Sequence, residues 1–362
     1  MTPEPAPVEP TPVEQPGLTE RATLFAVLTG GWIAQACYAI AKLGVPDLLA
    51  DGPRTADDLA AACGADPRAL NRTLRALSAS DLLRETAPRT YALTATTRLL
   101  CSDYRRSSRP TALMFGEEVH GAFGEIMHTL RTGRPAFEQL HDIPFYDYLG
   151  EHPQAAETFH TAMGAAAVPA ALATCDLGRL GTLVDIGGGE GGLLAKVLAR
   201  HREARGVLVE LPETLGLARA RLTEAGCADR VDFVAGSFFD PDTVPRGADV
   251  YTLSRVLHNW DDVGAATILR RVREAMPPEG RLLVFEYLED VQPAPTTRPA
   301  RPYSAQAKLI DLLMLVMVDG HDRTLEQYRS LLADAGFAIS SVHPAPVHAS
   351  RTESVIEAVP LD

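Results

Sequence analysis

The chain is short of positive charge and has no C-x-x-C, H-x-H or H-x-x-x-H pair. It also lacks an unbroken apolar run of about eighteen residues. Each shortage excludes something. With 34 Lys and Arg against 47 Asp and Glu, the net charge of −13 argues against nucleic acid as a partner. The five scattered cysteines, odd in number, read as reduced core residues rather than a disulfide frame. Ten histidines without ligand spacing give no reason to expect a metal. No membrane span is expected, and the N-terminus lacks the charged-then-apolar order of a signal peptide. The expected compartment is the cytoplasm.

What is present divides by pattern. A chain of 362 residues, 46% hydrophobic, suggests more than one domain. Residues 1–17, MTPEPAPVEPTPVEQPG, are too rich in Pro and Glu to order themselves. Helical spacing follows from Leu18 to about Leu49, with Gly30 and Gly31 between two segments. In RTADDLAAACGADPRALNRTLRALSASDLLRE, Thr55 and Asp66 predict N-caps, Gly64 a stop and Pro67 a first helical residue. With the β-like LLRETAPRTYALT after them, the two helices make a winged helix, closing a domain of residues 18–110. Arg68, Arg72 and Arg75 lie on its second helix, as a DNA-binding regulator would need, but the acidic total opposes that reading. Residues 111–177 read as helical.

From residue 178 to 362 strands alternate with helices. Strands are expected at 183–186, 206–211, 231–235, 248–253, 281–287, 337–342 and 354–359, with helices separating the first six. That alternation predicts a mostly parallel α/β sheet, and the helix-less final connection predicts an antiparallel last strand.

LVDIGGGEGGLL, Leu183–Leu194, is the densest signal, with five glycines in six positions at a strand-to-helix turn. It satisfies both G-x-G-x-x-G, for a dinucleotide, and D-x-G-x-G-x-G, for a methyl donor. Glycine count does not separate the two, and Glu210 at the next strand end could hold a ribose diol in either. Asp185 tilts the choice, because a carboxylate pairs with an ammonium and repels a pyrophosphate. Ser237 and Phe238 in GSFFD offer a hydrogen bond and a stacking ring for adenine. A histidine, His258, follows the fourth strand at the sheet's carboxyl edge, where open α/β sheets bind ligands.

VDIGGGEGG, VELPE, GSFFD, LSRVLHNWDD, LLVFE and DGHDRT, in this order, resemble the caffeate- and flavonoid-type O-methyltransferases and their bacterial natural-product relatives. The resemblance spans residues 20–360 and implies a Rossmann-like, seven-stranded class I methyltransferase sheet with a winged-helix dimerisation domain. It implies S-adenosyl-L-methionine as cofactor, a homodimer formed through the N-terminal domain, and a small aromatic acceptor such as a polyketide-like phenol, its site lined in part by residues 111–177. Carried over by position, Asp185, Gly187 and Gly189 contact the methionine portion and Glu210 the ribose. Ser237, where the family more often has Asp, and Phe238 flank the adenine. Ser254 takes the place of a Lys common in plant members, and Met163 borders cofactor and substrate. Leu313, Met314 and Met317, in the apolar stretch Leu309–Gly320, line the acceptor pocket.

The implied chemistry is in-line displacement at a sulfonium methyl, driven by alignment and a base near the hydroxyl. His258 is the candidate base, with Glu286 and Asp322 as flanking acids. Asp322 stands where the family has the longer Glu, so its contact should lengthen or vanish, which makes Glu286 the safer partner. Asp261 and Asp262 are alternatives that read equally well as helix caps, Asn259 could bond substrate, and Trp260 could pack on it. The rival readings are a methyltransferase-like enzyme that uses the same cofactor for hydroxylation or rearrangement, a nicotinamide oxidoreductase and the DNA-binding regulator.

Overall fold

In the computed structural model, residues 17–164, 168–289, 303–344 and 353–361 are described. The proline-rich tail and most of the loop 291–305 lie outside them. The chain divides into one unit up to Asp103 and a second from Tyr104.

The first unit opens with the helix Leu18–Lys42, which runs unbroken through Gly30 and Gly31. The expected division there is absent, since an interior glycine costs a helix only about 1 kcal/mol. This helix also corrects the expectation of no membrane-length segment. By length and mean hydropathy (1.5) alone it is apolar enough to cross a bilayer, and 11% of its apolar window is buried. Leu24, Phe25, Val27, Leu28 and Trp32 are all exposed on it.

The winged helix forms as its caps predict. Thr55 accepts the Asp58 amide ahead of the helix Ala56–Cys63, and Gly64 closes that helix with φ 70°. Asp66 accepts two amides ahead of Pro67–Ala79. Strands β1 (Arg54–Thr55), β2 (Leu83–Ala87) and β3 (Thr90–Leu93) make an antiparallel sheet in the order β1-β3-β2. Leu59, Leu70, Leu74, Leu77 and Tyr91 fill the core. The Tyr91 hydroxyl donates to Asn71 Oδ1 at 3.0 Å inside it.

In the second unit, helices between Arg109 and Gly164 pack beside a seven-stranded sheet. Its strands are β4 (Thr182–Ile186), β5 (Arg205–Glu210), β6 (Val231–Ala235), β7 (Val250–Ser254), β8 (Arg281–Glu286), β9 (Phe337–His343) and β10 (Ser354–Pro360), in the order β6-β5-β4-β7-β8-β10-β9. β4 to β8 are mutually parallel, and β10 runs antiparallel between β8 and β9. The inner parallel strands are near-continuous apolar runs because both sheet faces are covered. One expected helix is missing: β6 reaches β7 through turns alone, in a stretch with Pro241, Pro245 and two left-handed glycines, Gly236 and Gly247. Five parallel strands end on one rim. That rim collects Gly187, Glu210, Ser237, Ser254 and Glu286 from separate parts of the sequence.

Tyr91→Phe leaves the Asn71 carboxamide without its buried partner and should cost about 1–3 kcal/mol in urea unfolding. An unchanged midpoint would show the bond contributes nothing.

Candidate functional site

The glycine turn after β4 bends through left-handed Gly187 (φ 63°) and Gly189 (φ 57°) into the helix Gly192–Arg200. Gly188 between them is pressed onto its neighbours. A Cβ there would fall on Asp185 Oδ2 and 2.6 Å from Leu208 Cδ1, both fully buried. Asp185 thus lies beneath the turn rather than open beside it. Its Oδ1 accepts from the Thr252 hydroxyl at 2.7 Å, while its buried Oδ2 has no partner among the described residues. Burial, with a smaller push from Glu210 and a counter-pull from the Thr252 bond, raises its pKa to about 7. Glu210 holds the turn from the next strand, accepting the Gly189 amide at 2.9 Å and the Leu211 amide at 2.8 Å. Burial also pushes the Glu210 pKa up. Ser237 caps its own turn through the Phe239 amide at 3.2 Å, and Phe238 is half-buried near Gly187.

On the next strand, Ser254 is half-buried at the end of β7 and Arg255 follows in the left-handed region, φ 56°. A single helical turn, Leu257–Asn259, then carries His258 into the interior. Its Nδ1 lies 3.5 Å from Asp322 Oδ1 and 3.9 Å from Glu286 Oε2. Neither contact has hydrogen-bond geometry, so both act as charge. Asp322 is therefore the nearer acid, although its contact was expected to lengthen or vanish. The loop carrying it is tied to the helix Tyr303–Met317, the Asp322 amide donating to Asp311 Oδ1 at 2.9 Å. The other oxygen of Glu286 accepts the Leu257 and His258 amides at 3.0 and 3.3 Å.

Burial pulls the His258 pKa down, but Glu286 and Asp322 outweigh it and the net shift is upward. Burial and the adjacent Asp322 raise Glu286, against a downward pull from His258. Nδ1 is wholly buried, so the small exposed edge of the ring lies on its other side.

The remaining candidates sort by contact. Asp261 caps the helix Asp262–Ala275 through the Gly264 amide, and Asp262 pairs with Arg323, so neither serves the histidine. Asn259 Nδ2 donates to the Arg255 carbonyl. On the helix Tyr303–Met317, Leu309 and Leu315 are exposed, and another face meets the neighbouring helices. Leu313 and Met317 lie on that face, packed with Phe137 and Phe145, and Met314 is half-buried outside the cluster. Met163 is 38% exposed near the end of Pro153–Gly164. Sequence reasoning missed Tyr146, whose ring stacks on Trp260 at 5.5 Å and whose hydroxyl feels Glu210. It also missed Arg221, which ties the Gly164 carbonyl to Glu190 of the glycine turn. Only the aromatic run FYDYL hinted at the first, and nothing local marked the second.

Residues 123–338 match the family model for the O-methyltransferase domain, and residues 25–103 match that for the O-methyltransferase dimerisation domain. The chain belongs to the O-methyltransferase family. The phenazine O-methyltransferase PhzM of Lysobacter antibioticus is 37% identical over 93% of this chain and 96% of that one. The 8-amino-8-demethylriboflavin N,N-dimethyltransferase of Streptomyces davaonensis is 39% identical over 93% and 96%. Among solved structures, the O-methyltransferase NcsB1 from neocarzinostatin biosynthesis superposes with TM-score 0.75 and 33% identity, covering 91% of this chain and 96% of that one. That structure holds S-adenosylmethionine and 2-hydroxy-5-methyl naphthoic acid.

This O-methyltransferase uses S-adenosylmethionine, and the rim fits the cofactor. The turn offers a Cβ-free cradle, a partnerless buried carboxylate oxygen lies beneath it, and an acid and an aromatic ring flank it. The segment read as a winged helix is the family's dimerisation domain.

Gly188→Ala forces a methyl against two side chains that cannot yield. It should destabilise the protein by about 1–3 kcal/mol and weaken S-adenosylhomocysteine binding in calorimetry. Wild-type stability and affinity together would mean the turn is looser than its packing implies.

Proposed function

We propose that this enzyme methylates a phenolic hydroxyl of an aromatic secondary metabolite, with His258 as general base. The carrying observation is one imidazole nitrogen facing two buried carboxylates at 3.5 and 3.9 Å. The cofactor supplies an electrophilic methyl on a sulfonium. His258 takes the hydroxyl proton on its exposed edge, and Glu286 and Asp322 stabilise the imidazolium that forms. A phenol of pKa about 10 is mostly protonated at neutral pH, so such a base contributes about 10²–10⁴-fold. The glycine turn and Glu210 hold the methionine and ribose portions, with Asp185 acting through the turn above it. Ser237 and Phe238 flank the adenine, with Ser254 and Met163 at the cofactor's border.

Leu313, Met314 and Met317, with Asn259, would meet the acceptor. Aromatic acceptors are supported by the phenazine and naphthoic acid named for two relatives. The N,N-dimethyltransferase relative raises an amine acceptor as the second reading. A neutral amine already presents its lone pair and needs no base, so the acid-flanked imidazole favours oxygen.

The exposed apolar face of Leu18–Lys42 supports a homodimer, and five free cysteines fit the reducing cytoplasm. Trp32→Glu should then shift the protein from dimer to monomer in light scattering. A dimer of unchanged stability would place the interface elsewhere.

His258→Ala should slow methylation of 1,4-dihydroxy-2-naphthoic acid, the phenol held by a second NcsB1 structure, by about 10²-fold or more, with S-adenosylhomocysteine affinity nearly intact. The base works in its neutral form, and the two acids raise its pKa. The wild-type rate should therefore climb with pH through a midpoint above the ordinary imidazole value of about 6.5. A rate independent of pH there, or an unaffected variant, would remove His258 from the chemistry.

A further inference from the structure

We infer that Arg323 is the positioning residue of this site, a buried fork that keeps the His258 turn seated between Glu286 and Asp322. The inference rests on the reading of His258 as the base and explains how that ring is held.

Arg323 is 1% exposed and heads the fully buried side chains by size. It spends its donors on the backbone either side of His258. Nη1 donates to the Leu257 carbonyl at 3.1 Å and Nη2 to the Trp260 carbonyl at 2.9 Å. Nε and Nη2 also reach Asp262 Oδ1, at 2.9 and 2.8 Å. The turn has little rigidity of its own. It starts from a left-handed non-glycine residue, Arg255, and carries two backbone bonds of 3.2 Å.

The same loop that presents the fork presents Asp322, one residue earlier. It seats backbone on backbone, since a Cβ on Gly320 would run into the His258 carbonyl oxygen and lie 2.7 Å from Asn259 Cα. The Arg323 carbonyl in turn accepts the Glu289 amide at 3.3 Å, joining the loop to the end of the strand that carries Glu286. One short segment thus fixes the imidazole and both acids in a single frame. A guanidinium buried for stability alone is poorly placed here, because its sole carboxylate partner among the described residues, Asp262, is 74% exposed.

The sign of a titration separates positioning from charge. The charged groups facing His258 are Glu286 from β8, Asp322 from the loop and Arg255 from its own turn. Around Arg323 stand Asp262, His321 and the ring of Tyr328. The His258 imidazole can be followed by NMR in full-length protein and assigned with His258→Gln. If Arg323 positions the ring, both R323K and R323M let it drift from the carboxylates, and its midpoint falls towards the ordinary value. If Arg323 acts only through charge, R323M raises the midpoint and R323K leaves it in place. Either result overturns the inference.

S-adenosylhomocysteine affinity within about twofold of wild type reports an intact fold. If R323M does not fold, R323K decides alone, and loss of binding in R323K would make Arg323 a fold residue. Failure of the base reading is distinguishable, because it appears as undiminished methylation by His258→Ala and leaves this titration untouched.

Discussion

Two carboxyl groups buried beside one another repel unless positive charge sits between them, and the second unit is organised around that constraint. Glu286 is fixed by the strand β8 and Asp322 by a loop outside the sheet. Their shared neighbour is a nitrogen of a ring that gains charge only when it takes a proton. The acids therefore make protonation of His258 easier than burial alone would allow, while the same burial keeps water from diluting the effect. The upward shift of His258 follows from this contest of burial against charge.

The sheet makes the arrangement reachable. Parallel strands deliver their carboxyl ends to one rim, so a cradle from β4, an acid from β5, a ring after β6 and a histidine after β7 gather there without any of them being close in sequence. The helices from Arg109 to Gly164 complete the surroundings through aromatic packing, with Tyr146 lying across Trp260 only a residue beyond the turn that carries His258. Trp260 also meets Phe238 and Phe239 edge-on, so the His258 turn and the GSFFD turn share one aromatic cluster.

Much of this was legible in the sequence because it is written in local chemistry. Thr55, Asp66 and Asp261 announce helix starts by side-chain capping, and the apolar runs of β4, β7 and β8 announce strands covered on both faces. The glycine turn announces itself by composition. What escaped depends on distance through space. Nothing near Arg323 says that its fork will close on carbonyls more than sixty residues earlier. The one-methylene difference at Asp322 suggested a longer contact, but the distance also depends on where the loop backbone sits, which the side chain does not reveal. Gly30 and Gly31 looked like a break, although a long apolar helix tolerates two weak positions.

The uncovered helix at the start of the chain carries a further consequence. Apolar side chains such as Leu24, Phe25, Leu28 and Trp32 gain free energy only when something removes them from water, so a partner that covers this helix adds a stability that scales with its concentration. For a chain with a dimerisation domain, a melting temperature therefore has meaning only beside the concentration at which it was taken.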